Sequence, residues 1–385
     1  LANNSVSYTE KPDMETFLRE WTALVESKSG ERGIFNRQAA QKQATKNNRR
    51  DPNWEFGTNP CSEIILRGPK IDLKTGQPIT GTGGQFCNLS EVVVRATDDI
   101  KSLSKKVKLA TIVGTVQSSL TKFPYLRKVW QNNTEEERLL GVSLTGIMDN
   151  PLLTSKNKGL SQTLNHLRHV AVQTNKEWAE RLGVQQSTAI TCVKPSGTVS
   201  QLVDSASGIH ARHSHHYIRT VRGDNKDPIT QFMIDQGIPA EPCVMKPDTT
   251  MVFSFPIQSP KNAVTRNDMT AIEQLEMWLI YQRHWCEHKP SVTITVKDDE
   301  WMEVGAFVYK HFDEMSGVSF LPHSDHTYQQ APYQECTKEE YKELLKKLPK
   351  KIDWEKLSSY EQEDNTIGMQ TLACSGDVCE IVDLT

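Results

Sequence analysis

The chain contains no run of about 18 apolar residues, which excludes a membrane-spanning helix, and Leu1 opens no charged-then-apolar export signal. Those two absences point to the cytoplasm. Cysteine is sparse: eight thiols in 385 residues are too few for a disulfide scaffold of this size, so in a reducing compartment a paired subset is more readily redox-active than structural. Charge of one sign is lacking as well. Lys plus Arg total 45 against 48 for Asp plus Glu, and a net charge of -3 exerts no general pull toward nucleic acid or membrane. Any anion site must therefore be local. The GxxxxGK phosphate loop and internal repeats are also absent, as is an initiator Met, which raises the expectation of a fragment, a processed product or one half of a split protein.

What is present is ordinary for a soluble protein: 37% hydrophobic and 24% charged residues, in a chain long enough for two or three domains or one large α/β domain. METFLREWTALVESK (14–28) repeats apolar residues at helical spacing, whereas the polar stretch 33–50 reads as a loop or exposed helix. Helices are also expected over 101–124, 156–183 and 268–286, and strands at 86–94 and 291–296. TAITCVKPSGTVSQLV reads as a buried β-branched strand, a Pro-Ser-Gly-Thr turn and a new helix. Strands alternating with helices favour a mostly parallel sheet or barrel. The Gly- and Pro-dense segment 67–85 suggests a long surface loop or hairpin. A charged amphipathic helix begins at 338 and stops near Pro349, and residues 357–385 read as a mobile tail.

Four motifs carry chemistry. In NPCSEI, Asn59, Cys61 and Glu63 alternate, so an extended chain would point an amide, a thiol and a carboxylate at one small molecule. The competing reading makes Cys61 a packed small hydrophobe and Asn59-Pro60 a turn start. Cys87, in GGQFCNLSE, is either a packed strand cysteine or a second thiol that serves as reductant beside the close-approach glycines Gly83 and Gly84. In CVKPSGTVSQL, backbone N–H groups and the hydroxyls of Ser196 and Thr198 form an anion pocket on one reading and simple helix caps on the other. In ACSGDVCEIVDLT, Cys374 and Cys379 enclose four residues including Gly376, a spacing suited to a thiol shuttle; a zinc pair lacks a second pair nearby.

The histidine-rich stretches are less specific. HARHSHHYIRTVR suits a polar rim around an anionic substrate or a nucleic-acid patch better than a metal cluster, and in HWCEH a helix C-terminus attracting His is the plainer account. The polar, aromatic stretch LPHSDHTYQQAPYQ (321–334) reads as a functional loop.

Together NPCSEI, FCNLSE, RLLGVSLTGIMD, KPSGTVSQLVDSASGIHARH, HKPSVTITVKDDEW, GVSFLPHSDHTYQQAPYQE and the terminal CSGDVC resemble the catalytic subunit of ribonucleotide reductase, most closely the adenosylcobalamin-dependent ribonucleoside triphosphate reductases. The resemblance implies an α/β fold: the C-terminal portion of a ten-stranded α/β barrel (1–337) with a central finger loop at about 57–66, an amphipathic helix (338–356) and a redox-active tail (357–385). It implies that Cys61 becomes the thiyl radical that removes the ribose 3′ hydrogen, that Glu63 deprotonates the 3′ hydroxyl, and that Asn59 binds the ribose hydroxyls. Cys87 would be one of two reducing cysteines. Pro195, Ser196, Gly197 and Thr198 would hold the substrate phosphates, and Cys374 and Cys379 would re-reduce the site and be recharged by thioredoxin. The implied cofactor is adenosylcobalamin; no metal site, nucleic acid or membrane partner is implied.

Three departures qualify the resemblance. No cysteine precedes Cys61, so the partner of Cys87 is expected on a separate N-terminal half-barrel polypeptide. The loop between Cys61 and Cys87 looks inserted, and no DxHxxG cobalamin motif is present, although the family does not depend on one. Two other readings stand beside this one: a catalytic subunit that takes its radical from a separate metal-containing subunit, and a non-catalytic nucleotide-binding or thiol-regulatory relative. Radical chemistry also leads to the expectation that the Cys61 sulfur is buried.

Overall fold

The computed structural model describes residues 5–28, 33–323 and 329–362, together with the backbone of 372–375 and 378–381. The chain divides into two compact units, the first comprising 1–212, 262–264 and 268–323, the second 213–261, 265–267 and 324–385.

In the first unit, three parallel strands, Asn88–Val93, Leu140–Thr145 and Thr191–Cys192, form one sheet in that spatial order. All six residues of the central strand, LGVSLT, are buried. That is the pattern of a parallel strand covered on both faces rather than an alternating half-buried one. Helices Ile100–Gln117 and Leu160–Leu182 pack beside it, the first started by Asp99 in a capping box with Ser102, the second ended by the left-handed Gly183. A second sheet runs Val6–Tyr8, Gly33–Asn36, Gly317–Pro322, Thr293–Val296 and is mixed, with parallel outer pairs and one antiparallel central pair. Against it lies the helix Met14–Ser27, capped by Asp13, which buries Phe17, Trp21 and Leu24 at i, i+4 and i+7. Trp278, Tyr281, Trp285, Phe312 and Phe320, all fully buried, complete the core. Burial on that scale, at about 25 cal/mol per Å² of apolar surface, is what holds the unit together.

A third sheet, Trp54–Thr58, Ile65–Ile71 and Pro78–Ile79, is antiparallel. It realises the hairpin expected for the glycine-dense insert. The Gly83 position explains one glycine there: a Cβ would lie 2.7 Å from the Gly68 carbonyl carbon. The polar stretch 33–50, expected as loop or exposed helix, is instead the buried strand Gly33–Asn36 followed by helix Arg37–Thr45, with Ala39, Ala40 and Ala44 inside. Small alanines on one face let a polar helix pack closely, a feature that composition alone conceals. Residues 128–137, where no element was expected, form another helix.

The second unit is an antiparallel sheet in the order Ala240–Pro242, Thr250–Gln258, His216–Asp224, Tyr333–Glu335. Helix Pro228–Asp235 buries Phe232 against Trp354 and Tyr360. The amphipathic helix spans Lys338–Lys347, shorter than the 338–356 expected, because Pro349 follows closely and the chain re-forms only as short turns at Trp354–Lys356 and Leu357–Tyr360. In the tail, Leu372–Ser375 pairs with Val378–Ile381 and sets Cys374 opposite Cys379 along the backbone. Both cysteine side chains, residues 363–371, 376–377 and 382–385 of the tail, and residues 324–328 of the expected functional loop lie outside the described residues.

Candidate active site

Asn59 to Ile64 is the turn of the first hairpin of the third sheet, joining Trp54–Thr58 to Ile65–Ile71. The NPCSEI segment is therefore not extended. Ser62 is left-handed at φ 63°, the Ser62 N–H donates to the Asn59 carbonyl at 2.9 Å, and the Ile64 N–H donates to Asn59 Oδ1 at 3.0 Å. Asn59 thus commits its side-chain oxygen to the turn, as Asx residues commonly do. The shared-face geometry read from alternate positions is replaced by a tight loop that separates two environments. Glu63 is buried at 1% exposure, with Oε2 lacking any hydrogen-bond partner among the described residues, whereas Cys61 is exposed at the tip. The expectation of a buried Cys61 sulfur is thus corrected, because Pro60 and the left-handed Ser62 swing residue 61 outward.

The Cys61 thiol is nevertheless held above its ordinary pKa, first by the burial of part of its sulfur against the loop and next by the Glu63 carboxylate, with Lys194 opposing. It stays a thiol at neutral pH. Cys87 is pushed up in the same way, by burial and then by Glu63. Glu63 therefore lies in the electrostatic reach of both thiols, and Lys194 brings the residue next to Pro195 toward Cys61. Of the expected site residues, Asn59, Cys61 and Glu63 share one turn, and Cys87 lies in the electrostatic reach of Glu63. Ser196 occupies the helix N-cap position at φ 55° but makes no capping bond, and its Oγ is buried without a partner, so the plain capping reading fails. Gly197 and Thr198 are exposed. Gly208 is required beside this turn, since at φ 53° a Cβ there would lie 2.3 Å from the Lys194 carbonyl oxygen.

A cavity of about 460 Å³ is lined by Cys87, Phe86, Leu120, Lys122, Phe123 and Tyr125 among others. Its apolar walls account for the high thiol pKa there.

The segment 286–291, CEHKPS, to which the sequence reading gave no site role, holds the turn from behind. Ser291 Oγ donates to the Cys61 carbonyl at 2.6 Å, the Lys289 ammonium donates to the Ser62 carbonyl and, at 3.2 Å, to Ser62 Oγ, and the Lys289 N–H donates to the Glu63 carbonyl at 3.2 Å. The three successive carbonyls of the turn are thereby all satisfied. The Ile65 N–H donates to His288 Nδ1 at 3.2 Å, while His288 Nε2 pairs with the Leu140 carbonyl at 2.9 Å, which assigns its proton to Nε2. HWCEH was read as a helix end attracting His; this suits His284, where the helix stops, but not the buried His288. The available signal was a Lys and a His set between apolar segments with no acidic neighbour at helical spacing.

The base of the hairpin rests on a buried network. Arg50 makes a two-pronged contact with Glu137 at 2.8 and 2.7 Å and donates to the Ile65 carbonyl at 3.0 Å; Gln85 also donates to Glu137 at 2.9 Å. Arg67 reaches Glu137 at 3.3 Å and Glu136 at 2.9 Å.

Burial lowers the His288 pKa to about 3 from 6.5. The unfolded chain therefore binds a proton below pH 6.5 that the folded chain refuses, and stability contributed by neutral His288 falls as pH drops from 6.5 toward 3. A loss of about 1.5 kcal/mol from this residue is expected between pH 6.5 and 5, in urea unfolding at each pH. His288→Gln should flatten that slope; an equal slope in the variant would refute the assignment. His210, whose pKa burial also lowers, adds to the same trend in both proteins.

No family model matches the chain. Among solved structures, one described as a B12-dependent (class II) ribonucleotide reductase superposes with a TM-score of 0.74 at 23% identity, covering 94% of this chain and 52% of that one. The first unit and the second together thus carry the mixed α/β fold of that enzyme class. Curated relatives carry related names. The adenosylcobalamin-dependent ribonucleoside-triphosphate reductase of Euglena gracilis is 30% identical over 260 residues, 65% of this chain and 35% of the relative. Its namesake in Lacticaseibacillus paracasei is 26% identical over 99% of this chain and 52% of the relative, and a probable enzyme of that name in Dictyostelium discoideum is 26% identical over 85% and 40%. The chain is thus a relative of the adenosylcobalamin-dependent ribonucleoside-triphosphate reductases, as the motifs indicated, and it spans between a third and about half of their length. No helix among the described residues is long and apolar enough to cross a membrane.

Proposed function

We propose that this chain carries the catalytic residues of an adenosylcobalamin-dependent ribonucleotide reductase, with ribonucleoside triphosphates as the first substrates to test. The observation that carries the reading is the 59–64 turn: an accessible thiol kept protonated, beside a buried carboxylate with an unpartnered oxygen. A thiolate would suit nucleophilic attack, whereas an S–H bond suits hydrogen-atom transfer. In this reading the turn is the finger loop of the relatives' ten-stranded barrel, and the strands of the first unit are part of that barrel.

The exposed face of Pro60 and Cys61 leaves room for a bulky group to approach the sulfur, so the residues fit the implied cofactor. Adenosylcobalamin would be met by the exposed face of Pro60 and Cys61 and would supply one-electron radical chemistry to the Cys61 S–H bond. The Cys61 thiyl then removes the ribose 3′ hydrogen, Glu63 accepts the 3′ hydroxyl proton, and the 2′ hydroxyl leaves as water. Cys87 and a companion thiol deliver two electrons and two protons and become a disulfide, and Cys61 returns its hydrogen to C3′. The balance is one nucleotide and one dithiol to one deoxynucleotide, one water and one disulfide. Asn59 positions the ribose, and the Pro195, Ser196, Gly197 and Thr198 turn holds the phosphates, where the orphaned Ser196 Oγ gains a partner. The companion of Cys87 comes from residues corresponding to the rest of the relatives' length, in cis or on a second polypeptide. Cys374 and Cys379 relay electrons from thioredoxin or a similar dithiol.

The test is anaerobic incubation with ribonucleoside triphosphate, adenosylcobalamin and dithiothreitol, with and without a polypeptide carrying the relatives' remaining half, scored by deoxynucleotide formation. Absence of product with every component present would refute the reading.

A further inference from the structure

Lys289 is 1% exposed, and among the described residues its ammonium bonds only Ser62 and forms no ion pair with a carboxylate. A buried cation without an ion-pair partner is costly, and such groups persist where something depends on them. Its hydrogen bonds go to the main chain and hydroxyl of one residue, Ser62, the left-handed position between Cys61 and Glu63. Left-handed backbone at a serine is itself unfavourable by on the order of 1 kcal/mol, so Ser62 needs an external hold. The neighbouring strand is shaped around the same ammonium: a Cβ at Gly317 would lie 3.1 Å from Lys289 Nζ, 3.2 Å from its Cε and 3.2 Å from Ser62 Oγ.

We propose that Lys289 is the positioning residue of the site, clamping Ser62 in its left-handed conformation so that the Cys61 thiol and the Glu63 carboxylate keep their fixed separation, and placing a positive charge beside Glu63. The clamp acts through Ser62 and Glu63, not on substrate. The titratable groups facing the ammonium are Glu63 from the turn and Cys286 from its own segment; strand Gly317–Pro322, packed on its other side, carries none. Burial lowers the Lys289 pKa to about 8, with Glu63 and Cys286 opposing, so the charge is present at neutral pH and lost above pH 8.

The inference rests on the reductase reading for its activity readout only, and a second readout is independent of it. In hydrogen exchange, Lys289→Met should raise the exchange of amides 62–65 by at least about tenfold while the helices Ile100–Gln117 and Leu160–Leu182 exchange as before. Gly317→Ala, which displaces the ammonium without removing it, should do the same and serves if Lys289→Met does not fold. In turnover, Lys289→Met should lower kcat by about 10²-fold with KM within about threefold, the scale of a misplaced reacting group. An alkaline fall centred near pH 8 should disappear from the variant's profile, and Lys289→Arg should restore part of kcat. Unchanged exchange at 62–65 in both variants would overturn the clamp; lowered kcat with the pH 8 limb intact would overturn the charge. Failure of every form to turn over, with exchange changed as expected, would leave the clamp standing and sink the reductase reading instead.

Discussion

Replacing Cys61 by serine is expected to lower deoxynucleotide formation by on the order of 10⁴-fold or more, because an O–H bond does not give up its hydrogen atom as an S–H bond does, and no other group at the tip of the turn replaces it. The fold should be unaffected. Cys61 is exposed, its side chain makes no described hydrogen bond, and the turn is held by its carbonyl, which serine retains. Equal urea unfolding curves for the two proteins, with product lost, would place residue 61 in the chemistry. Product formed at an undiminished rate by the serine protein would remove the thiyl step and with it the reductase reading. The non-catalytic alternative makes the opposite forecast: nucleotide binding kept, and no deoxynucleotide from either protein.

Glu137→Ala should cost about 3–5 kcal/mol in unfolding free energy, the scale of breaking a buried ion pair by removing one partner. Glu137 and Arg50 are each fully buried, and Arg67 is 2% exposed at its side chain. Removing the carboxylate strands the Arg50 guanidinium in a dry interior, although Arg67 keeps Glu136. The loss should reach the candidate site, because Arg50 also holds the Ile65 carbonyl, at the foot of the 59–64 turn. Burial acting alone would raise the Glu137 pKa, but Arg50, Arg67 and Gln85 together hold it below the usual carboxylate value of 4.5. The stability it contributes is therefore present above pH 4.5 and is lost as pH falls through its lowered folded value. Glu137→Gln keeps shape and some hydrogen bonds, so it should fall between the two. A loss under about 1 kcal/mol for Glu137→Ala would show that water reaches Arg50 and that the network is not dry.

Local patterns were legible wherever one short stretch decided the outcome. METFLREWTALVESK, with Asp13 just before it as cap, carries its own apolar spacing, and its helix forms at Met14–Ser27. TAITCVKPSGTVSQLV gives strand, turn and helix in the order read. The likeness to the reductases was also carried by continuous motifs, each of which can be read without knowing what it touches. The burial of helix Arg37–Thr45, within a stretch read as loop or exposed helix, was not legible because its buried face is made largely of alanines, whose hydropathy is weak and whose value lies in close packing.

Residue types and their order along the chain were enough to nominate Cys61, Glu63, Cys87 and the 195–198 turn, since thiols, carboxylates and glycines announce chemistry by identity. Their arrangement was settled only in three dimensions. That Cys61 faces outward and Glu63 inward follows from a left-handed Ser62, and Ser62 is held by Lys289, which lies 227 residues further along the chain. The same distance separates Arg50 from Glu137 in kind if not in number, at 87 residues. Hydrogen bonds of this sort leave no periodicity in the sequence, because a buried cation is specified by its partners and not by its neighbours.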